Sequence, residues 1–127
     1  MLSLGTETYR RVVIDDHFET GIDPLYWGYD LGDGTDRGIP GWDNGELQWY
    51  TETNASVADG KLIIEAQTEY MGGKAYTSAR LTTYGRLSFD TGLIEIEPSF
   101  PRAKAFGPRS GCSATTCLML AGRTLVR

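Results

Sequence analysis

The segment NASVADGKLIIEAQ, residues 54–67, constrains the fold of this chain more than any other stretch. Asp59 and Gly60 form a favoured two-residue hairpin turn, with apolar residues clustered just after it. The flanking runs, residues 56–58 and 61–67, therefore predict the two strands of a β-hairpin. The side chains expected to be buried or half-buried in it are Leu62, Ile63 and Ile64.

The rest of residues 8–100 continues the β-pattern. The chain has 16 glycines and many β-branched and aromatic residues, and no stretch shows sustained helical spacing of apolar residues. RVVIDDHF predicts a first strand, and Pro98 is expected to end the last strand or to mark a sheet edge. The predicted class is all-β, with further strands at residues 75–82, 86–89 and 93–97.

Length and charge limit the possible partners. A chain of 127 residues is sufficient for one modest domain or part of one. The formal net charge is -5 and the Lys and Arg residues form no stripe, so no nucleic acid or anionic membrane surface is expected as a partner.

No apolar run approaches the roughly 20 residues of a membrane span, and MLSLGTETYRR lacks the apolar block of a secretory signal. A neutral polar ligand fits better, and the location stays open.

A long Gly- and Asp-rich loop, DLGDGTDRGIPGWDNGE, leads into the densest group of aromatic and amide residues. Loops of this length inside a compact domain are usually functional or disordered. Sugars present flat C–H faces rimmed by hydroxyls, so their sites combine aromatic rings with amides, carboxylates and arginine. Trp49 or Tyr50 taken alone could equally be a core residue. As a set, the group predicts a carbohydrate site: Trp42, Asn44, Glu46, Gln48, Trp49 and Tyr50.

Several motifs resemble one known family in their order and spacing: DPLYWGYDLGDGTDRGIPGWDNGELQWYT, NASVADGKLIIEAQ, YTSARLTTYGRLSFDTGLIEIE and FP. They are similar to the amino-terminal part of glycoside hydrolase family 16, in its laminarinase and endo-β-1,3-glucanase branch. The resemblance covers residues 8–101 and implies a concanavalin-like β-jelly-roll sandwich whose concave sheet forms a glucan-binding cleft. This chain would supply about the first two fifths of such a domain, an incomplete jelly roll. The domain prediction is residues 1–101 for this part and residues 102–127 for a separate tail.

The resemblance implies four substrate-binding residues. Trp42 corresponds to an aromatic residue of the cleft loop and is a candidate sugar platform, while Asn44 and Glu46 match the same loop. Arg80 matches an arginine that reaches the substrate near the cleavage point. Its alternative role is a surface arginine paired with a carboxylate, which contributes little energy. The loop departs from the family at Asp43, where glycine is usual, and at Gly45, where asparagine is common.

Retaining hydrolysis needs two carboxylates about 5 to 5.5 Å apart. The resemblance implies that they lie in a Glu-x-Asp-x-x-Glu motif, which occurs nowhere in these 127 residues. Glu95 and Glu97 share one face of a predicted strand, but solvated alternation accounts for them better. His17 lies beside acidic residues and lacks a nucleophile partner in the sequence, so it is interpreted as a surface residue. No catalytic residue is assigned.

No cofactor is expected. Some members of the family hold a structural calcium, which here would involve Glu19 and the Gly60 carbonyl. Hard cations need several oxygen ligands, and a remaining ligand would lie beyond the region of resemblance, so binding by this chain is not expected. Cys112 and Cys117 have the spacing of a metal pair, but the sequence offers no second pair or nearby histidine to complete a site.

The β-pattern stops after FP, and the tail RAKAFGPRSGCSATTCLMLAGRTLVR is predicted to be irregular. Read from the third base of each codon, this tail permits Gly-x-Gly-Leu-Trp-Pro-Ala-Phe-Trp-Met-Leu-Gly and then Asp-Asn-Leu-Pro-Asp-Ala-Gly-Trp-Pro. The resemblance implies that such a string comes next and leads to the first catalytic glutamate. The hypothesis is that one base was lost, or two gained, near the Pro101 codon, so that the tail is excluded from fold reasoning.

Three functions follow as alternatives. The first is a fragment of a glycoside hydrolase acting on β-1,3- or mixed-linkage β-glucans, inactive because its catalytic segment is missing. The second is a non-catalytic carbohydrate-binding module that retains Trp42, Glu46 and Arg80. The third, an unrelated all-β interaction domain that uses its own tail, is disfavoured by the shifted-frame string.

Overall fold

The computed structural model of the chain describes residues 14–88, 96–99, 109–113, 116–120 and 124–126. The regular structure of these residues consists of strands and two 3₁₀ turns, Thr35–Arg37 and Pro40–Asp43. None of the helical turns in this described part is long and apolar enough to cross a membrane. The strands are β1 (Gly28–Tyr29), β2 (Gln48–Tyr50), β3 (Ala55–Ala58), β4 (Lys61–Ile64), β5 (Gln67–Met71), β6 (Lys74–Ser78), β7 (Arg80–Thr82), β8 (Pro98–Ser99), β9 (Arg109–Ser113), β10 (Thr116–Leu120) and β11 (Thr124–Val126).

The described strands form three sheets, with orders β1-β7-β10-β9, β3-β4-β11-β8 and β2-β6-β5. Strands β2 and β6 pair in parallel, and the other recorded pairs are antiparallel. The predicted all-β class is confirmed. Among the described strands, Pro98 lies in β8 at one edge of its sheet, which agrees with the edge position, one of the two alternatives expected for it.

The predicted hairpin is present as β3 and β4, with Val57 opposite Leu62. Asp59 and Gly60 both have positive φ, 51° and 67°, as a two-residue turn of this type requires. Alternation of side chains along β4 buries Leu62 and Ile64 fully and leaves Ile63 half-buried. The buried cluster that β4 joins contains Phe18, Trp27, Leu62, Ile64, Ala79 and Leu81.

Asn54 ties the start of this hairpin to the neighbouring sheet. Its buried side-chain amide donates to the main-chain oxygen of Glu65 and to Thr77 Oγ1, each at 3.0 Å. Its Oδ1 atom accepts a hydrogen bond from Thr51 Oγ1. A buried amide with three partners fixes the relative position of these segments, because each lost partner would leave a buried polar group unpaired.

The strand predicted at residues 11–18 is wrong for its described part, residues 14–18, which form no strand. Asp16 is the physical reason. Its Oδ1 accepts the Phe18 N–H at 2.9 Å, and its Oδ2 accepts the Trp27 indole N–H at 2.8 Å. Short acidic side chains that bond nearby backbone compete with strand pairing, and here Phe18 takes the left-handed φ of 51°.

The single strand predicted at residues 75–82 is divided at Ala79. Strand β6 belongs to the sheet with β2 and β5, whereas β7 pairs with β1 and β10. The chain thus passes from one sheet to another at a buried alanine. The strand predicted at residues 86–89 is wrong for residues 86–88, because the N–H groups of Arg86 and Leu87 both donate to the Thr83 carbonyl and close a turn.

Strand β5 was not predicted. It pairs with β6 around Gly72 and Gly73, whose φ values of 59° and 82° permit a tight connection. In the strand predicted at residues 93–97, Ile96 and Glu97 are not in a strand, and residues 93–95 lie outside the described residues.

The described part of the tail differs from the prediction of an irregular segment. Strand β10 pairs with β7 through Met119 and Leu81, and β11 pairs with β4 through Leu125 and Ile63. The edges of β7 and β4 would otherwise present unpaired N–H and C=O groups, which any extended segment of the chain can satisfy. Strand pairing alone therefore does not require a tail sequence adapted to this fold.

Candidate functional site

The loop between β1 and β2 folds back on itself and places Trp42 beneath a group of charged residues. Gly34 has φ 85°, and a Cβ atom there would lie 2.4 Å from the Ile39 carbonyl oxygen, so only glycine fits. Trp42 itself has φ 55°, a conformation that costs an L-residue about 1–2 kcal/mol. Its indole N–H donates to the Gly32 carbonyl at 3.3 Å. The loop therefore holds the indole in one strained and buried position.

Two arginines cover the indole of Trp42. The Arg80 guanidinium carbon lies 4.3 Å from the ring centroid and that of Arg37 lies 5.3 Å from it, both within cation–π range. Trp42 is only 7% exposed. In this arrangement the predicted sugar platform is occupied by guanidinium groups, and an added sugar ring would meet the arginines first.

Asp30 joins the two arginines. Its Oδ2 atom lies 3.0 Å from Arg80 Nε, and its Oδ1 atom lies 2.8 Å from Arg37 Nη1. The Asp30 and Arg80 side chains are 10% and 18% exposed, whereas that of Arg37 is 55% exposed. Arg80 does pair with a carboxylate, but in a mostly buried place where water screens the charges less than at the surface.

Glu46 is the second carboxylate of the cluster. Its Oε2 accepts a hydrogen bond from the Tyr50 hydroxyl at 2.5 Å, and its Oε1 accepts one from Asn44 Nδ2 at 3.3 Å. Arg80 Nη1 lies 3.9 Å from Oε1. Gln48 Nε2 in turn donates to the Tyr50 hydroxyl oxygen at 2.7 Å. The carboxylate is thereby held in one orientation by neighbours on the loop, on β2 and on β7.

The Tyr50 phenol keeps its proton because of this environment. Burial raises its pKa well above the ordinary value, and the Glu46 carboxylate, which accepts its hydrogen bond, raises the pKa further. Tyr50 therefore acts as a hydrogen-bond donor to Glu46 throughout the neutral range. Tyr50 is also almost fully buried, which agrees with the alternative interpretation of Tyr50 as a core residue.

Lys74 and Asp33 complete the charges of the cluster. Lys74 Nζ donates to the Glu46 carbonyl at 3.3 Å and lies 4.0 Å from Asp33 Oδ2. The hydrogen bonds from Thr35 lower the pKa of the Asp33 carboxyl. The cluster contains three acids and three bases, each within reach of an opposite charge: Asp30, Asp33, Glu46, Arg37, Lys74 and Arg80. Such a site presents many hydrogen-bonding groups without a net charge, which suits a neutral polyhydroxylated ligand.

The structure brings together all four residues predicted as substrate-binding. Arg80 contacts Trp42 and Glu46, and Asn44 contacts Glu46. Trp49, by contrast, lies apart from the Trp42 indole, against the backbone of Gly72 and Gly32, and lines an open groove with Asp36 and Glu52. The sequence reasoning missed Asp30, Arg37 and Lys74.

The other charged candidates lie outside this cluster. His17 Nε2 lies 2.9 Å from Asp15 Oδ1, and both side chains are more than half exposed. Glu97 is exposed, and Glu95 lies outside the described residues. A Cβ atom on Gly60 would lie 3.2 Å from the His17 carbonyl oxygen, so the hairpin turn approaches the segment that contains Glu19. Among the described residues, no group of three or more His, Cys, Asp or Glu side chains is placed to hold a metal ion.

Comparisons with known proteins agree on one group. No protein-family model matches the chain. The beta-glucanase of Rhodothermus marinus is 42% identical over 103 residues, which cover 77% of this chain and 34% of that protein. The solved catalytic domain of an endo-1,3-beta-glucanase (laminarinase) from Thermotoga petrophila is 42% identical with a TM-score of 0.74, over 79% of this chain and 42% of that one. A non-specific endo-beta-1,3(4)-glucanase from family GH16, SCLam, is 30% identical with a TM-score of 0.68, over 77% of this chain and 42% of that one.

The fold is thus a jelly-roll β-sandwich of the kind found in polysaccharide hydrolases, as the sequence predicted. The chain is related to the laminarinases and endo-1,3-beta-glucanases of glycoside hydrolase family 16. It spans 34% of the length of the first curated relative and about two fifths of the solved domains, and so corresponds to part of such a domain.

Proposed function

We propose that the cluster around Trp42 and Arg80 is part of a β-glucan-binding cleft, and that this 127-residue polypeptide does not itself hydrolyse glycosidic bonds. One observation carries the binding half of the proposal. Four residues chosen from the sequence for a sugar site, which are up to 38 positions apart, meet in a single hydrogen-bonded and cation–π network.

The chemistry of the cluster supports a sugar ligand. Asn44 is exposed and carries both donor and acceptor groups, and Arg80 and Glu46 supply a charged donor and a charged acceptor beside it. Hydrogen bonds in which one partner is charged are roughly twice as strong as neutral ones. Because the charges are balanced within the cluster, these groups can bind hydroxyls without requiring an ionic ligand.

The sequence supports the proposed absence of hydrolysis. Retaining glycosidases need a nucleophile carboxylate and an acid/base carboxylate on either side of the bond that is cleaved. No Glu-x-Asp-x-x-Glu segment is present in this chain. The two carboxylates nearest Arg80, Asp30 and Glu46, are both engaged in holding neighbouring side chains.

Affinity electrophoresis in gels that contain laminarin tests the binding half. The wild-type chain should be retarded, and Arg80→Ala should weaken binding about 10- to 100-fold, the range expected for one charge-assisted hydrogen bond. Arg86→Ala is the matched control, because Arg86 is exposed and bonds the Pro24 carbonyl outside the cluster. Equal retardation of all three proteins, or none for the wild type, would reject the glucan site.

A reducing-sugar assay on the same laminarin tests the second half. We expect no release of reducing sugar above a buffer blank, even at protein concentrations far higher than an active glucanase needs. Release that persists through purification and follows the protein peak would overturn this half while leaving the binding result intact. Binding without release is also the behaviour of a non-catalytic carbohydrate-binding module, so the origin of the tail must be established separately.

We further propose that residues 102–127 arise from a slipped reading frame near the Pro101 codon. The support is the long ordered string of family-like residues that the other frame permits, together with matches that cover 72 to 79% of the chain in most comparisons. Sequencing the DNA around that codon tests it. Codons that spell Trp-Pro-Ala-Phe-Trp-Met-Leu-Gly in the shifted frame are expected, and unrelated codons would favour the binding-module alternative.

A further inference from the structure

Asp30 occupies a position that the proposed glucan site depends on but that the sugar itself need not contact. Its carboxylate lies between Arg37 and Arg80, and its own backbone N–H donates to the Arg80 carbonyl at 2.9 Å. Asp30 is thus joined to Arg80 at both main chain and side chain. Fifty residues separate the two in sequence, so only the pairing of β7 with the start of the loop brings them together.

The Arg80 side chain is long and flexible, so fixing it in one conformation costs conformational entropy unless several contacts offset that cost. Its Nε atom is buried 3.0 Å from Asp30 Oδ2, an ion-pair contact without hydrogen-bond geometry. Its guanidinium carbon lies over the Trp42 ring, and Nη1 lies 3.9 Å from Glu46 Oε1. Without the Asp30 carboxylate, the opposite charge that remains near Arg80 among the described residues is that of Glu46, whose Oε1 lies 3.9 Å from Arg80 Nη1.

We infer that Asp30 is a positioning residue, which holds the Arg80 guanidinium over the Trp42 ring and so presents its outer N–H groups to a β-glucan hydroxyl. The inference rests on the proposed function for the glucan itself. Arg37 supports the same arrangement from the solvent side. It pairs with the other Asp30 oxygen, and its guanidinium lies over the same indole. A ligand that binds the cluster then meets a preorganised arginine and does not have to order it.

A double-mutant cycle in laminarin binding tests the inference. Asp30→Asn keeps the shape and removes the charge, and we expect it to weaken binding about 3- to 10-fold. In an Arg80→Ala background the same change should have less than about a 2-fold effect, because its target is gone. Asp15→Asn is the matched control, since Asp15 pairs with His17 on the surface. Effects of Asp30→Asn that are equal in both backgrounds would show general disturbance of the fold and overturn the positioning role.

A second measurement needs no ligand. Hydrogen exchange of the Arg80 Nε–H group, followed by NMR, should be slow in the wild-type chain, because this nitrogen is buried and lies 3.0 Å from Asp30 Oδ2. Asp30→Asn should speed the Arg80 exchange by about 10-fold or more, because loss of the mostly buried ion pair releases the guanidinium from its position. The Arg86 rate should stay unchanged, because Arg86 bonds the Pro24 carbonyl outside the cluster. An unchanged Arg80 rate would refute the inference even if laminarin binds, whereas failure of laminarin to bind with the expected exchange result refutes only the proposed function.

Arg37→Ala provides a second test in case Asp30→Asn does not fold. The Arg37 side chain is more than half exposed, so its removal should be tolerated while loosening one side of Asp30. We expect laminarin binding to weaken about 2- to 3-fold, as for loss of an exposed ion pair. No change in binding, combined with an unchanged Arg80 exchange rate, would contradict the role assigned to Arg37 and with it the arrangement of two arginines around Asp30.

Discussion

Replacing Tyr50 by phenylalanine removes one oxygen atom from the centre of the site. Two hydrogen bonds are lost: the 2.5 Å bond that the phenol donates to Glu46 and the 2.7 Å bond that it accepts from Gln48. The first involves a charged acceptor, for which the net contribution is about 1.5–3 kcal/mol. We therefore expect Tyr50→Phe to lower the free energy of unfolding by about 2 kcal/mol at neutral pH.

The difference between the two proteins should shrink in alkali. The pKa of Tyr50 is raised in the folded chain, so above the ordinary tyrosine pKa the unfolded chain loses a proton that the folded chain keeps. The stability contributed by the protonated phenol is complete below about pH 10 and declines as the pH rises above it, by about 1.4 kcal/mol per pH unit. At about pH 11 the two free energies of unfolding should differ by less than about 1 kcal/mol.

Urea unfolding followed by tryptophan fluorescence, at neutral pH and at about pH 11, measures both differences. Tyr70→Phe is the control, because Tyr70 is 79% exposed, and its effect should stay within about 0.5 kcal/mol at both pH values. A Tyr50→Phe variant as stable as the wild type at neutral pH would refute the hydrogen-bond network. A constant difference up to about pH 11 would refute the raised pKa.

Two further substitutions test the packing that supports the site. Gly72→Ala should lower the free energy of unfolding by about 2 kcal/mol more than Gly73→Ala. Both glycines have positive φ, but only a Cβ atom on Gly72 would lie 2.1 Å from the Trp49 ring. Thermal unfolding of the two variants measures the difference, and equal losses of stability would contradict this packing. Asn54→Ala should lower the free energy of unfolding by about 3 kcal/mol, because the buried hydrogen-bond partners of the amide are left unpaired. Urea unfolding measures the change. A loss under about 0.5 kcal/mol would show that these hydrogen bonds do not hold the two sheets together.

The local parts of the fold could be predicted because their causes are local. Asp59 and Gly60 carry the conformation of their turn in their own residue types, and Leu62 and Ile64 alternate with the pleat. The Gly72-Gly73 turn offered the same kind of signal, and the unpredicted β5 could have been found from it. The division of residues 75–82 at Ala79 could not, because it depends on which sheet each half joins.

The site divides in the same way. The resemblance to a known family indicated Trp42, Asn44, Glu46 and Arg80, and no further structural knowledge was needed to group them. Asp30 carries no signature of its own in the sequence, since it is one of several acidic residues in the long loop. Its importance comes from the pairing of the loop with β7, which places its carboxylate on Arg80.

Hydrogen–deuterium exchange of the chain with and without laminarin tests the central claim most directly, because it locates the ligand without any substitution. The account predicts slower exchange in the loop segment that contains Trp42, Asn44 and Glu46 and around Arg80, with the β3–β4 hairpin unchanged. Protection confined to the hairpin, or no change at the loop and Arg80 at a laminarin concentration that retards the protein in gels, would contradict it.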